Sequence, residues 1–139
     1  MFSHFFVYRK GSAWAGIVVM ALVLSGCGGK SAMMCKINSI NVSPATATPN
    51  HAAAPPGNMQ HFSAFIASEP SGCAFALSNL TTATWSVSDT TNISISNVHD
   101  ATYGTATCHA ATAGAATVTA TVPAGDGSNV SNTASLTCN

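Results

Sequence analysis

Any chemistry in this chain has to come from five cysteines, five histidines and four carboxylates, because charged residues make up only 6% of its 139 residues. Cys108 and His109 are adjacent and form the nearest approach to a thiol–imidazole dyad. Consecutive residues of a strand point to opposite faces, so their side chains diverge and no dyad is expected. His51, His61, His99 and His109 show no HExxH or related spacing. No two of Cys35, Cys73, Cys108 and Cys138 stand two to four residues apart, which argues against zinc. Asp89, Asp100 and Asp126 lie in or beside turn-like sequence, where a carboxylate caps backbone N–H groups; that role outweighs a calcium site built from the same turns. With no acid, base and nucleophile converging, the expectation is no enzyme activity, no metal and no cofactor.

The N-terminus carries a different kind of chemistry. Arg9 and Lys10 precede an apolar run, Ala13 to Leu24, and then small residues, the layout of an export signal. The run has 12 residues, well short of the roughly 18–20 that cross a bilayer as a helix, so a removable segment is expected rather than a permanent span. The tetrapeptide Leu24-Ser25-Gly26-Cys27 resembles the bacterial lipobox: an aliphatic residue, two small residues, then Cys. The resemblance implies a diacylglyceryl group on the Cys27 sulfur, cleavage before Cys27 and acylation of the new amino group. Several acyl chains, each gaining about 0.8 kcal/mol per buried CH₂, hold a domain at a membrane far more firmly than one. Residues 1–26 are then a lipoprotein signal sequence. Residues 27–34 are the lipidated Cys and a flexible tether beginning Gly28-Gly29-Lys30-Ser31. Gly rather than Asp follows Cys27, which favours the outer over the inner membrane in an organism with two.

Beyond the signal, Lys30 and Lys36 stand against Glu69, Asp89, Asp100 and Asp126, a net charge near −2 with neutral His. Such a chain cannot neutralise many phosphates, so nucleic acid is excluded as a partner. The partners expected are the membrane, through the lipid, and a protein or glycan. Once Cys27 is assigned to lipid, four cysteines remain, an even number in an exported chain, and two disulfides are expected.

The elements that must position these residues are strands. No stretch after residue 30 keeps a 3.6-residue apolar period, whereas short alternating runs recur between turn signals. Seven candidate strands emerge: Ile37 to Val42, Met59 to Ala67, Ala83 to Ser88, Asn92 to Ser96, Tyr103 to Cys108, Ala115 to Val122 and Thr133 to Cys138. The fold class is therefore all-β, with residues 35–139 as one domain. Phe62, Trp85, Val87 and Val118 fall on apolar faces and are the candidate core. Ser43 to Asn58, with Pro44, Pro49, Pro55 and Pro56, reads as an edge segment or crossover, since Pro cannot donate to a ladder. In the connection Ser68 to Thr82, Phe75, Leu77 and Leu80 are expected to fold back as a lid over one end of the core, pinned by Cys73.

Four segments in order carry a further likeness: Ile40-Asn41-Val42-Ser43-Pro44, Gln60-His61-Phe62-Ser63-Ala64, Ala83-Thr84-Trp85-Ser86-Val87-Ser88-Asp89 and Gly114-Ala115-Ala116-Thr117-Val118-Thr119-Ala120-Thr121. Together they resemble the bacterial immunoglobulin-like domain of group 2. The resemblance implies a seven-stranded Ig-like β-sandwich in which Trp85 is the buried Trp of the third strand. No Cys lies centrally in the second or sixth candidate strand, so the inter-sheet bridge of antibody domains is missing. In the implied topology, the start of the first strand and the loop after the second share one end. The ends of the fifth and seventh strands share the other. That arrangement pairs Cys35 with Cys73 and Cys108 with Cys138. The resemblance also implies a non-enzymatic adhesion, interaction or structural module, lipid-anchored at the cell envelope. The alternative is an accessory lipoprotein of an envelope-assembly or secretion complex.

Overall fold

Alternation of apolar with Ser, Thr and Asn residues, interrupted every few residues by Pro, Gly or Asp, leaves each segment able to bury one face and solvate the other. The computed structural model describes residues 35–69, 71, 73 and 80–139. Among these residues there is no helix, and nine strands form three sheets. They are β1 (Ser39–Ser43), β2 (Thr46–Ala47), β3 (Met59–His61), β4 (Ser63–Ser68), β5 (Thr84–Val87), β6 (Ile93–Ile95), β7 (Thr105–Cys108), β8 (Ala116–Pro123) and β9 (Asn129–Leu136). The sheet orders are β1-β4, β2-β9-β8-β5 and β3-β7-β6. Every pairing is antiparallel except β2 with β9.

The count differs from the seven expected strands for two local reasons. The segment Met59 to Ala67 is divided at Phe62, whose N–H leaves the ladder to bond the Gly104 carbonyl at 2.9 Å. The Pro-rich stretch contributes β2, an edge strand lying along β9 between Pro44 and Pro49, as its proline content requires. Several boundaries also move by one to four residues, two of them for evident reasons. The seventh candidate strand begins at Asn129 rather than Thr133, because the turn closes within Ala124 to Ser128, where the Ala124 N–H bonds the Ser128 carbonyl at 2.8 Å. The fifth begins at Thr105 rather than Tyr103, because Gly104 takes a φ of 73°, outside strand conformation.

The apolar faces meet in one core, consistent with a β-sandwich. Ile40, Val42, Phe62, Ala64, Ile93, Ala106 and Cys108 come from β1, β4, β6, β7 and the β3–β4 junction. Trp85, Val118, Ala120, Val122, Ala134 and Leu136 come from β5, β8 and β9. Phe62, Trp85 and Val118 are buried. Val87, expected in the core, is only half-buried: β5 is the edge of its sheet, and Val87 lies where that edge meets solvent. Phe75 and Leu77 of the expected lid lie outside the described residues. Leu80 packs against the core, its N–H bonded to the Ala64 carbonyl at 2.8 Å.

Two asparagines close the open sides where one sheet gives way to another. Asn132 on β9 donates its side-chain amide to the Ile40 carbonyl of β1 at 2.6 Å. Asn97 accepts from the Trp85 N–H at 2.7 Å and donates to the Trp85 carbonyl at 2.9 Å. Its amide thereby does for the free edge of β5 what a neighbouring strand would do.

Candidate functional site

Cys27 lies outside the described residues. The other four cysteines are brought together in two disulfides. Cys35 and Cys73 are joined with a Cα–Cα distance of 5.6 Å, and Cys108 and Cys138 with one of 5.8 Å. Cys108 and Cys138 sit within the core, whereas Cys35 is exposed and Cys73 half-exposed. The Cys108 sulfur is committed to its bridge. His109 turns to the other face of its sheet, where its Nε2 meets Ser94 Oγ at 2.8 Å.

Ser94 with His109, and Ser63 with His61 at 3.3 Å, are serine–imidazole contacts by distance. Both are exposed, and neither imidazole is oriented by a carboxylate among the described residues, so the geometry that activates a serine is incomplete. His51 bonds the Asn139 carbonyl, and His99 stacks edge-on against Tyr103 with ring centroids 4.9 Å apart. The four histidines are thus dispersed. Among the described residues, no group of three His, Cys, Asp or Glu side chains is placed to hold a metal ion.

The three aspartates cap turns. Asp89 accepts from the backbone N–H groups of Thr91 and Asn92, and from the Asn92 amide at 2.8 Å. Asp100 accepts from the Thr102 hydroxyl at 2.6 Å and its N–H at 2.7 Å. Asp126 accepts from the Ser128 hydroxyl and N–H, with Lys36 Nζ at 3.4 Å. Hydrogen bonds to the charged form hold all three carboxyls below their ordinary range, led by the side chains of Asn92, Thr102 and Ser128 respectively; Asp126 falls to about 2. Tyr103, whose hydroxyl donates to the Ala83 carbonyl, is pushed up by burial.

Two surfaces remain. A groove of about 380 Å³ opens between the free edges of β5 and β6, lined by Trp85, Val87, Ile93, Ile95 and Asn97 among others. The outer face of the sheet β2-β9-β8-β5 is a field of hydroxyls. The registers place Thr84, Thr121 and Ser131 in one row and Ser86, Thr119 and Thr133 in the next. In a third row Thr117 and Ser135 lie beside Thr46, with Ser88 extending it past the end of β5.

No protein-family model and no curated protein matches this chain.

Sequence reading missed three residues that shape these surfaces. Asn97 and Asn132 sit in segments whose polarity looks like ordinary solvation, and only the register shows which backbone groups they reach. Gly104 did carry a signal, a Gly inside a strand pattern, which marks a bulge or a close backbone approach.

Proposed function

We propose that this chain is a lipid-anchored module of the bacterial cell envelope, with an Ig-like sandwich carried on a short tether from Cys27. The observation that carries the reading is the tetrapeptide Leu24-Ser25-Gly26-Cys27 after a 12-residue apolar run. The disulfides support it, because they use the remaining four cysteines and leave Cys27 unpaired by them.

The Ig-like reading rests on strand order. Only Phe62 separates β3 from β4, so the two join into one bent strand and the order becomes β1-β4/β3-β7-β6 opposite β2-β9-β8-β5. Taking β1 with β2 as a first strand that changes sheets leaves seven strands in the order of an immunoglobulin-like sandwich, with Trp85 on the third. The dispersed histidines and turn-capping aspartates favour a binding or structural role over catalysis. Adhesion or interaction at the envelope, most simply at an outer membrane where two membranes exist, is the role that fits an anchored sandwich of this kind.

Mass spectrometry of the intact protein and fractionation of cells expressing Cys27→Ala test the anchor. Expected is a diacylglyceryl-modified Cys27 at the mature N-terminus, and a Cys27→Ala protein that folds but leaves the membrane fraction. An unmodified Cys27, or a cleaved Cys27→Ala variant that stays with membranes, overturns the reading.

A further inference from the structure

We infer that the hydroxyl face of the sheet β2-β9-β8-β5 is a docking surface for a neutral polysaccharide. The face displays Thr46, Thr84, Ser86, Ser88, Thr117, Thr119, Thr121, Ser131, Thr133 and Ser135, held in rows by the ladders that join their strands. Neighbouring strands stand about 4.8 Å apart and alternate residues along a strand about 6.7 Å, so the hydroxyls form a two-dimensional array set by the backbone.

The two outer faces of the domain differ in how their hydroxyls are used. On the strands of the other two sheets and beside them, most hydroxyls are satisfied locally, Ser43 and Thr107 excepted: Ser39 with Ser68 at 2.6 Å, Ser96 with Thr102 at 2.9 Å, Ser94 with His109 and Thr105 with His61. On the array, Ser88 Oγ accepts from the Thr117 N–H, and among the described residues none of the hydroxyls meets another side chain. Each therefore keeps a donor and acceptor sites for a partner.

Charge selects which partner. Among the described residues, Lys36, Glu69, Asp89, Asp100 and Asp126 all lie in turns or beyond strand ends, so no charged side chain stands on the array itself, with Asp89 at its rim beside Ser88. A charged polymer would lose solvation there without gaining a counter-charge. A neutral chain of sugars exchanges hydroxyl–water bonds for hydroxyl–hydroxyl bonds, and repeats them along its length so that individually weak contacts add by multivalency. The envelope reading says only where such a polymer would be met; binding is a property of the folded domain.

The test is retention of the full-length protein, purified in detergent, on three insoluble neutral polysaccharides (cross-linked dextran, cellulose and mannan), with carboxymethyl-cellulose as the charged comparison. Retention is expected on at least one neutral polymer and not on the charged one. It should persist when salt is raised to about 0.5 M, where the Debye length has shrunk to about 4 Å. The triple variant Ser86→Ala, Thr119→Val, Thr133→Val should bind about tenfold less or worse at an unchanged melting temperature, since it deletes three hydroxyls from the central row while keeping β propensity. The pair Ser39→Ala, Ser68→Ala on the opposite sheet should bind as the parent does. Absence of retention on all three neutral polymers overturns the inference, as does equal retention by the triple variant or loss of retention in salt. Self-association abolished by the triple variant would assign the face to a second copy and overturn it as well. Cys27→Ala should retain polysaccharide normally, so failure of the anchor and failure of the array are separable.

Discussion

Gly104 shows how much of the fold can depend on one missing Cβ. Its φ of 73° lies in the left-handed region, and a Cβ there would collide with the Phe62 carbonyl and press on the Trp85 indole at 3.3 Å. At the same point its carbonyl takes the Phe62 N–H, and its own N–H bonds the Ser96 carbonyl at 2.9 Å. Gly104→Ala is therefore strained both in backbone and in space, at backbone of the β3–β4 junction that cannot swing aside. It should lower unfolding free energy by about 2 kcal/mol or more. Gly114, where an added Cβ meets nothing within 4 Å, provides the control: Gly114→Ala should stay within about 0.5 kcal/mol in the same urea titration. Equal effects at the two sites would mean that the close approach at Gly104 is not what constrains it. The apolar residues Phe62, Trp85 and Val118 were legible because alternation alone assigns them a face. Asn97 and Asn132 were not, because their roles depend on what lies across a gap that only the folded register defines, and Gly104, a glycine inside a strand pattern, signals a close approach without naming its partner.

The strands themselves were legible as a set. Each of the seven segments read from alternation overlaps an observed strand, and the main differences arise where tertiary contacts override local pattern. Phe62 breaks its strand because its N–H is drawn out of the ladder by Gly104, a residue 42 positions away, and no local pattern of Gln60-His61-Phe62-Ser63 announces that. Val87 packs against the core but is only partly buried for a similar reason, since alternation gives its face but not that β5 is an edge. The two disulfides act on these elements differently. Cys108–Cys138 ties the end of β7 to the chain just after β9 from within the core, while Cys35–Cys73 staples the approach to β1 at the surface. Their sequence separations, 30 and 38, confer similar chain-entropy stabilisation of about 3–4 kcal/mol. What separates them is access, because thiol–disulfide exchange needs an attacking thiolate to reach sulfur. Under limiting reductant without denaturant, Cys35 and Cys73 should be alkylated first, with Cys108 and Cys138 modified only as the domain unfolds. Peptide mapping after timed quenching reads the order, and simultaneous loss of both bridges would show that the buried one is not protected by the fold.

At the scale of the whole molecule, the few ionisable groups define how stability responds to pH. Asp89, Asp100 and Asp126 are all held below their unfolded values by hydrogen bonds to the charged form. The unfolded chain therefore binds protons more readily than the folded one between about pH 2 and 5, and the carboxylates' contribution is complete above an unfolded pKa of about 3.9. It is lost as pH falls through the folded values, the last of them Asp126 at about 2. Tyr103 acts with the opposite sign. Its folded pKa is raised by burial, so the folded state holds the phenolic proton more tightly than the unfolded chain, whose value is near 10. That contribution is present below about pH 10 and disappears as pH rises through the folded value. The melting temperature should therefore decline along an acid limb below about pH 4 and along an alkaline limb above about pH 10. The limbs can be assigned separately. Asp126→Asn cannot be protonated and should flatten part of the acid limb while leaving the alkaline limb as it is. Tyr103→Phe should do the reverse, at the cost of the bond to the Ala83 carbonyl and hence of a lower plateau. Calorimetric scans of the parent and both variants across this range decide the matter. An acid limb unchanged by Asp126→Asn would shift its origin to Asp89 and Asp100, the carboxylates that cap the turns beside β6.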